Sequence, residues 1–249
     1  MKRLKSRLII VSAFLWVIGV FFAATHLKSN RFDEEIHEPS ERSSEIMIPR
    51  GLYNESFEVA FEGEKRDLWQ KPDEVIETLG DISGFTIADI GCGEGYFTHR
   101  LAKQVGETGI IYASDIQEDV LNRMIKGLDP SISGRVKPIL ADEGGLGIPA
   151  PVDMVFLVQV LAEVPHQRQF LQDILEIMKP GARLVLIDSK HFTDPKTGYS
   201  RPINLSRLLE DLKTEGLVLA RKPLHFLPKQ FFLILKKDVD QPLIKSEPS

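Results

Sequence analysis

The chain has one cysteine, Cys92, among its 249 residues. A single thiol excludes an intramolecular disulfide, a cysteine-rich zinc site and any mechanism that needs two thiols, and we predict no metal site. Basic residues are not in excess either, because the formal net charge is -5 at pH 7. Without a basic field around the fold, nucleic acid is not an expected partner. The length suits one domain of ordinary size with short appendages.

An apolar run without charge lies near the N-terminus. It covers residues 8–24 (LIIVSAFLWVIGVFFAA) and follows four basic residues, Lys2, Arg3, Lys5 and Arg7. The run approaches the roughly 17 to 25 residues of a spanning helix and exceeds the roughly 7 to 15 of a signal peptide. We therefore expect residues 1–27 to be an uncleaved, single-pass membrane anchor, with a cleaved signal sequence as the alternative. The basic residues predict a cytoplasmic N-terminus.

Two polar segments flank the region that is expected to fold. Residues 28–55 are rich in acidic residues and serine, which is typical of a flexible linker, and residues 239–249 resemble a disordered tail. Between them, residues 56–238 alternate between strand-like and helix-like segments. This alternation predicts an α/β domain with a doubly wound, mainly parallel sheet that helices cover on both faces. The seven predicted strands lie at residues 86–90, 109–114, 136–141, 152–158, 183–187, 217–220 and 230–235.

A glycine-rich turn follows the first predicted strand. Residues 88–97 read ADIGCGEGYF, with glycines at Gly91, Gly93 and Gly95. Such a turn lets the backbone approach a ligand closely, and the following helix offers free N–H groups at its start. The pattern departs from the dinucleotide fingerprint G-x-G-x-x-G, because Tyr96 stands where the third glycine belongs. A diphosphate needs that close approach, whereas a ligand without phosphate does not.

Two carboxylates accompany the glycine turn. Asp89, two residues before the first glycine, would repel a diphosphate but suits a ligand that carries an ammonium and a sulfonium group. Asp115, at the end of the second strand, is placed to accept hydrogen bonds from ribose hydroxyls, and Ile116 beside it to pack on an adenine. S-adenosylmethionine carries all of these groups. It is therefore the predicted cofactor.

Three further residues complete the predicted cofactor site. Asp142, after the third strand, is placed to accept from the adenine amino group, with Glu143 as the alternative. Gln159 follows the fourth strand at the switch point where ligands of open α/β sheets bind. Cys92 is expected to be a small filler near the cofactor, because no base that would activate it is recognisable.

The ordered motifs together resemble the class I S-adenosylmethionine-dependent methyltransferases. The resemblance spans residues 67–237. Within the family, the chain is similar to the branch that includes quinone-biosynthesis enzymes and many bacterial members of unassigned substrate. It implies a sheet ordered 3-2-1-4-5-7-6 with the seventh strand antiparallel. It also implies that Asp89, Gly91, Gly93, Asp115 and Asp142 surround the cofactor. The motifs are ADIGCGEG, YASDI, LAD, VDMVFLVQVLAEV and MKPGARLVLID.

The methyl acceptor is less defined than the cofactor. We expect a small-molecule or lipid-like acceptor, with an acceptor wall formed by Trp69, Gln70, Tyr96, Gln159 and residues 189–200. No catalytic base is identified, although His166, His191 and Asp188 lie near the expected rim. Two alternatives stay open, a catalytically idle binding domain and an NAD-dependent oxidoreductase. S-adenosylmethionine is made in the cytosol, which conflicts with the predicted orientation and leaves open the side of the membrane that the domain occupies.

Overall fold

The computed structural model describes residues 64–142, 145–149, 151–193 and 200–238. The predicted anchor at 1–27, the linker at 28–55 and the tail at 239–249 lie outside these residues. Within the described ranges, no helix has the length and apolar character needed to cross a bilayer.

The strands form one large mixed sheet and one small hairpin. The strand order of the large sheet is β3-β2-β1-β4-β5-β9-β8. Among the described strands, β6 pairs only with β7. β1 to β5 are parallel, whereas β9 lies antiparallel between β5 and β8. Counted along the large sheet, this is the predicted order 3-2-1-4-5-7-6 with the last strand antiparallel, and the prediction is confirmed. The strands are β1 (Thr86–Ile90), β2 (Ile110–Asp115), β3 (Val136–Leu140), β4 (Val152–Val158), β5 (Met178–Ser189), β6 (His191–Thr193), β7 (Ser200–Pro202), β8 (Leu217–Leu219) and β9 (Gln230–Lys237).

The helices cover both faces of the large sheet. On one face, the helices α2, α3, α4 and α5 pack on sheet side chains such as Phe156 and Phe232 to form one apolar core. On the other face, α6 and α7 pack on side chains such as Leu186 and Phe231 to form a second core. Because neighbouring residues of a strand point to opposite faces, Phe231 and Phe232 contribute to different cores. The doubly wound architecture is thus confirmed. The helices are α1 (Glu64–Gln70), α2 (Pro72–Thr78), α3 (Thr98–Gln104), α4 (Glu118–Gly127), α5 (Pro130–Ser133), α6 (Gln167–Ile177) and α7 (Leu205–Thr214).

Helix boundaries follow local signals in several places. Pro72 opens α2, where its missing N–H costs no helical hydrogen bond, and Lys71 joins α1 to α2 with a φ of 45°. In α4, Val120, Leu121 and Met124 are buried on one face, as the helical spacing predicts. α2 packs against the first core through Val75 and Ile76.

Three elements differ from the sequence-based expectation. β5 starts at Met178, directly after α6, although Lys179-Pro180-Gly181 predicts a turn there. The register between β4 and β5 shifts near the start of β5, which accommodates these residues. Residues 189–200 are predicted to be a loop, yet His191–Thr193 and Ser200–Pro202 pair as β6 and β7, which are too short to show alternation. Trp69 and Gln70 belong to a separate helix, α1.

Candidate active site

The glycine turn crosses the carboxyl end of the sheet directly after β1. The N–H groups of Gly91 and Cys92 both donate to the carbonyl oxygen of Ser114, at 2.8 and 3.0 Å. Gly91 has a φ of +69°, and a Cβ atom there would lie 2.3 Å from Cγ2 of Val160. A side chain at this position would therefore need both a strained backbone and a displaced neighbour. Gly91 lets the turn pass close to the segment after β4.

Asp115 fastens the turn to the end of β2. Its Oδ2 accepts a hydrogen bond from the N–H of Gly93 at 2.9 Å, and its Oδ1 accepts from the N–H of Gln117 at 3.0 Å. Each carboxylate oxygen can accept more than one hydrogen bond, so Asp115 retains capacity for a ligand hydroxyl. The next residue, Ile116, is 69% exposed. A large apolar side chain in solvent beside this carboxylate offers a surface for a flat apolar ring.

Asp89 is a buried carboxylate beneath the turn. Its Oδ2 accepts a hydrogen bond from the Thr98 hydroxyl at 2.6 Å. Burial raises the pKa of Asp89 to about 7, and the charge of Asp115 adds to the effect, whereas the Thr98 hydrogen bond and the charge of Arg66 oppose it. A cation that binds nearby would stabilise the ionised form. Asp89 is therefore a candidate partner for a positively charged group.

Arg66, in α1, supplies the opposite charge at the same site. Its guanidinium carbon lies 3.7 Å from the ring centroid of Tyr96, and its Nε donates to Oε1 of Gln70 at 2.6 Å. Burial lowers the pKa of Arg66 to about 10, so the group is still charged at neutral pH. A ligand with both an ammonium and a carboxylate could place each beside a residue of opposite charge, Asp89 and Arg66.

The sequence pattern does not identify Arg66 or Thr98 as parts of this site. Thr98 opens α3 nine residues after Asp89, and nothing in the sequence pattern shows that its hydroxyl turns back to the strand. Arg66 precedes the first predicted helix, in a segment without an apolar stripe. Its position is set by tertiary contacts of α1, such as that of Gln70 with Gln230 at the start of β9.

Comparisons with known proteins place this geometry in a family. The family model described as "Methyltransferase domain" matches residues 81–238, which is more than half of the chain. The chain belongs to this methyltransferase family. The predicted membership of the class I S-adenosylmethionine-dependent methyltransferases is thereby confirmed, and the predicted enzyme class and cofactor agree with it. The family decides against the alternative of an NAD-dependent oxidoreductase.

Individual relatives match only part of their length. The ubiquinone biosynthesis O-methyltransferase of Schizosaccharomyces pombe is 34% identical over 113 residues, 45% of this chain and 41% of that protein. The demethylmenaquinone methyltransferase of Lactococcus lactis is 27% identical over 132 residues, 53% of this chain and 52% of that protein. The methyltransferase thus spans about half the length of the curated relatives that it matches.

A solved structure confirms the fold. The S-adenosylmethionine-dependent methyltransferase from Aquifex aeolicus superposes with a TM-score of 0.62 at 24% identity. The match covers 74% of this chain and 98% of that one. At this level of identity the likeness concerns the architecture alone.

The other predicted cofactor residues of the methyltransferase lie along the same edge of the sheet. Cys92 is buried in the turn, and burial raises the pKa of its thiol, so it stays protonated and is unsuited to act as a nucleophile. Gln159 follows β4 with a φ of 60°, and its Nε2 donates to the Ser189 hydroxyl at 3.1 Å. Asp142 is exposed after β3 and forms a β-bridge with Gly145. The structure brings Asp89, Gly91, Cys92, Gly93 and Asp115 together at the turn.

The predicted acceptor wall is only partly exposed. Gln70 is fully buried, and its Nε2 donates to Oε1 of Gln230 at 3.0 Å. The Tyr96 hydroxyl donates to the Asp67 carboxylate, which ties α1 to the start of α3. Lys229 lies 5.2 Å from the ring centroid of Trp69. α1 therefore closes over this part of the site.

The three candidate bases differ in their surroundings. His166 and His191 are exposed. Asp188 is 1% exposed near the end of β5, and burial raises its pKa to about 7. Asp188 is directly opposite Phe231 on β9, so its side chain points to the face that α6 and α7 cover. Asp89 lies on the other face, with Thr98 and α3.

Replacing Asp115 by alanine is expected to weaken cofactor binding. The change removes a charged acceptor for ribose hydroxyls and releases the N–H of Gly93, which costs about 1 to 3 kcal/mol of binding free energy. Calorimetric titration with S-adenosylhomocysteine measures the loss. Asp129→Ala is the control, because Asp129 similarly accepts from a backbone N–H, that of Ser131, but caps α5. Equal affinity in wild type and Asp115→Ala would remove Asp115 from the site.

Proposed function

We propose that this methyltransferase transfers a methyl group from S-adenosylmethionine to a small-molecule or lipid-like acceptor by in-line displacement. The observation that carries the proposal is the buried Asp89 carboxylate beneath the glycine turn, with Arg66 as its oppositely charged neighbour. In this assignment Asp89 binds the cofactor's ammonium and Arg66 its carboxylate. Asp115 accepts from the ribose hydroxyls, and Ile116 packs on the adenine.

For this reaction, the protein mainly has to position the acceptor and the methyl group. A sulfonium is a good leaving group, so transfer requires that the acceptor atom and the methyl carbon be held in line and that water be kept out. A dedicated base is needed only where the acceptor must lose a proton. Gln159, directly after β4, and Ser189, the last residue of β5, are uncharged. This favours an acceptor that reacts as a phenolate or an activated carbon.

The names of the relatives support one class of acceptor. Of those reported above, one is named for ubiquinone biosynthesis and the other for the methylation of demethylmenaquinone. An oxygenated aromatic ring with an apolar substituent meets the description of a small or lipid-like acceptor. We therefore propose a quinol or a related hydroxylated ring as the acceptor of this chain.

A methyl-transfer screen tests the acceptor class. The purified protein is incubated with S-adenosylmethionine labelled in the methyl group and with separated cell fractions of lipid extract, protein and small polar molecules. We expect the label in the lipid extract or in the small molecules. Incorporation into protein alone, or into no fraction, would contradict the proposal.

We also propose that residues 1–27 anchor the methyltransferase to a membrane as a single pass. The support is the apolar run at 8–24 and the basic residues before it. Washing membranes with alkaline carbonate should leave the full chain in the pellet and release a chain without residues 1–27. Release of the full chain, or a mature N-terminus downstream of residue 24, would show that the segment is not an anchor.

A further inference from the structure

A string of hydrogen bonds runs from the cofactor side of the site to the start of β9. Arg66 Nε donates to Oε1 of Gln70 at 2.6 Å, and Nε2 of Gln70 donates to Oε1 of Gln230 at 3.0 Å. A guanidinium can only donate, so Arg66 fixes which end of the Gln70 amide is the oxygen. Gln70 in turn fixes the Gln230 amide. The two amides therefore have one orientation, with Nε2 of Gln230 at the end of the string.

That terminal amide nitrogen is buried and has no hydrogen-bond partner among the residues that the structure describes. Gln230 itself is 0% exposed. A buried donor without a partner costs about 1 to 3 kcal/mol of stability. Such a group in a folded protein calls for an explanation. The fixed orientation rules out the simplest one, a rotation of the amide, because rotation would turn the Gln230 amide nitrogen toward the donor of Gln70.

The free donor lies where the acceptor is expected. Gln230 is the first residue of β9 and is directly opposite Ser189, the last residue of β5. Opposed residues of antiparallel strands point to the same face, so the two side chains lie on one side of the sheet. The Ser189 hydroxyl in turn bonds to Gln159 after β4. These three residues form an uncharged polar strip along neighbouring strand ends, at the edge where open α/β sheets bind ligands.

We propose that Nε2 of Gln230 donates a hydrogen bond to an oxygen atom of the methyl acceptor. The inference rests on the proposed function and narrows its substrate to molecules with a hydroxyl, phenolate or carbonyl oxygen beside the methylated position. Gln70 is a positioning residue, because it sets the direction of the Gln230 amide. A site with a donor reserved for an oxygen discriminates against analogues that lack this oxygen, since the donor then stays unpaired.

A pair of matched variants separates this role from a structural one. Gln230→Met and Gln70→Met both break the Gln70–Gln230 hydrogen bond, but only Gln230→Met removes the donor. The probes are a soluble hydroquinone with a short isoprenoid tail and its two analogues that each lack one ring hydroxyl. Initial rates give KM and kcat for each probe. Calorimetry with S-adenosylhomocysteine reports separately on the cofactor site.

We expect wild type to prefer the complete hydroquinone over one of the analogues by about tenfold or more in kcat/KM. Gln230→Met should abolish that preference by raising KM for the hydroquinone about tenfold, with kcat changed by less than about threefold. Gln70→Met keeps the donor but no longer fixes its direction, so its preference should be smaller than that of wild type and larger than that of Gln230→Met. Affinity for S-adenosylhomocysteine in Gln230→Met should stay close to wild type. Should Gln230→Met fail to fold, Gln230→Glu takes its place, because it keeps the oxygen that Gln70 contacts.

Several results would overturn the inference. An unchanged preference in Gln230→Met, or an equal loss in both variants, would make Gln230 a structural residue only. If wild type binds S-adenosylhomocysteine but methylates none of the probes, the quinol assignment and this inference fail together while the cofactor site stands. If wild type does not bind S-adenosylhomocysteine, the proposed function itself fails.

Discussion

Replacing Asp89 by asparagine is expected to stabilise the protein at pH 8 and to weaken binding of S-adenosylhomocysteine about 10- to 100-fold. Asparagine has the size of aspartate, and its side-chain oxygen can still accept from the Thr98 hydroxyl, 2.6 Å from Oδ2 in the wild type. What it removes is the buried charge. The same carboxylate therefore costs folding free energy and supplies the electrostatic partner of the cofactor's ammonium.

The pH dependence of stability gives the sign of this effect. Burial raises the pKa of Asp89 in the folded protein to about 7, from an ordinary value of 3.8. The stability that this group contributes is fully present below about pH 4 and is lost as the pH rises to about 7. The total loss is about 4 kcal/mol, since one pKa unit corresponds to about 1.4 kcal/mol. Urea unfolding should show Asp89→Asn more stable than wild type at pH 8 and similar to it near pH 4.

Cofactor affinity should show the opposite dependence. Only the ionised carboxylate attracts the ammonium, so wild-type affinity for S-adenosylhomocysteine should fall as the pH decreases through about 7. Asp188→Asn is the matched control, because Asp188 is equally buried with a pKa raised to about 7 but lies on the opposite face of the sheet. It should gain stability at pH 8 without a loss of cofactor affinity. Full affinity in Asp89→Asn would place the ammonium elsewhere.

Replacing Gly91 by alanine is expected to destabilise the fold severely and to abolish cofactor binding. The φ of +69° strains a side chain there, and the new Cβ would lie 2.3 Å from Cγ2 of Val160. Backbone strain and overpacking together cost about 3 to 5 kcal/mol, a large part of the stability of an ordinary domain. Thermal unfolding and titration with S-adenosylhomocysteine measure the two effects.

Two variants separate the steric conflict from the backbone strain. Gly106 has a φ of +68° but no atom within 4 Å of a built Cβ, so Gly106→Ala should cost only about 1 to 2 kcal/mol and leave cofactor affinity unchanged. Val160→Ala should restore part of the stability of Gly91→Ala, because it removes the methyl group that the new Cβ meets. A wild-type melting temperature and affinity in Gly91→Ala would show that the turn has room that the structure does not show.

Much of the fold is predictable from the sequence because the central strands are continuous apolar runs. β1 and β4 have the bounds that their residues predict, since each is buried on both faces and is followed directly by a glycine or a polar residue. α1 is different. Four of its seven residues are charged, so its helix carries no apolar stripe. It is held by contacts such as that of Gln70 with Gln230, which are 160 residues apart and leave no local pattern.

The residues of the candidate site also fall into a predictable and an unpredictable group. Asp89, the glycines and Asp115 are adjacent in sequence to strand ends, so strand prediction alone brings them together. Arg66 and Gln230 are brought to the site by the packing of chain segments that precede and follow its motifs. Their positions cannot be predicted from residue spacing. Asp188 is a candidate base by sequence because it lies near the carboxyl end of β5. The alternation of side chains along β5, however, turns it to the other face of the sheet.

The most decisive experiment is a calorimetric titration of the wild-type protein with S-adenosylhomocysteine and with NADH. Asp89, Arg66 and Asp115 are arranged for a nucleoside that carries an amino acid and no phosphate. We expect saturable binding of S-adenosylhomocysteine with one site per chain, and no heat of binding with NADH. Binding of NADH alone would contradict the account, and binding of neither would favour a domain that has lost its cofactor.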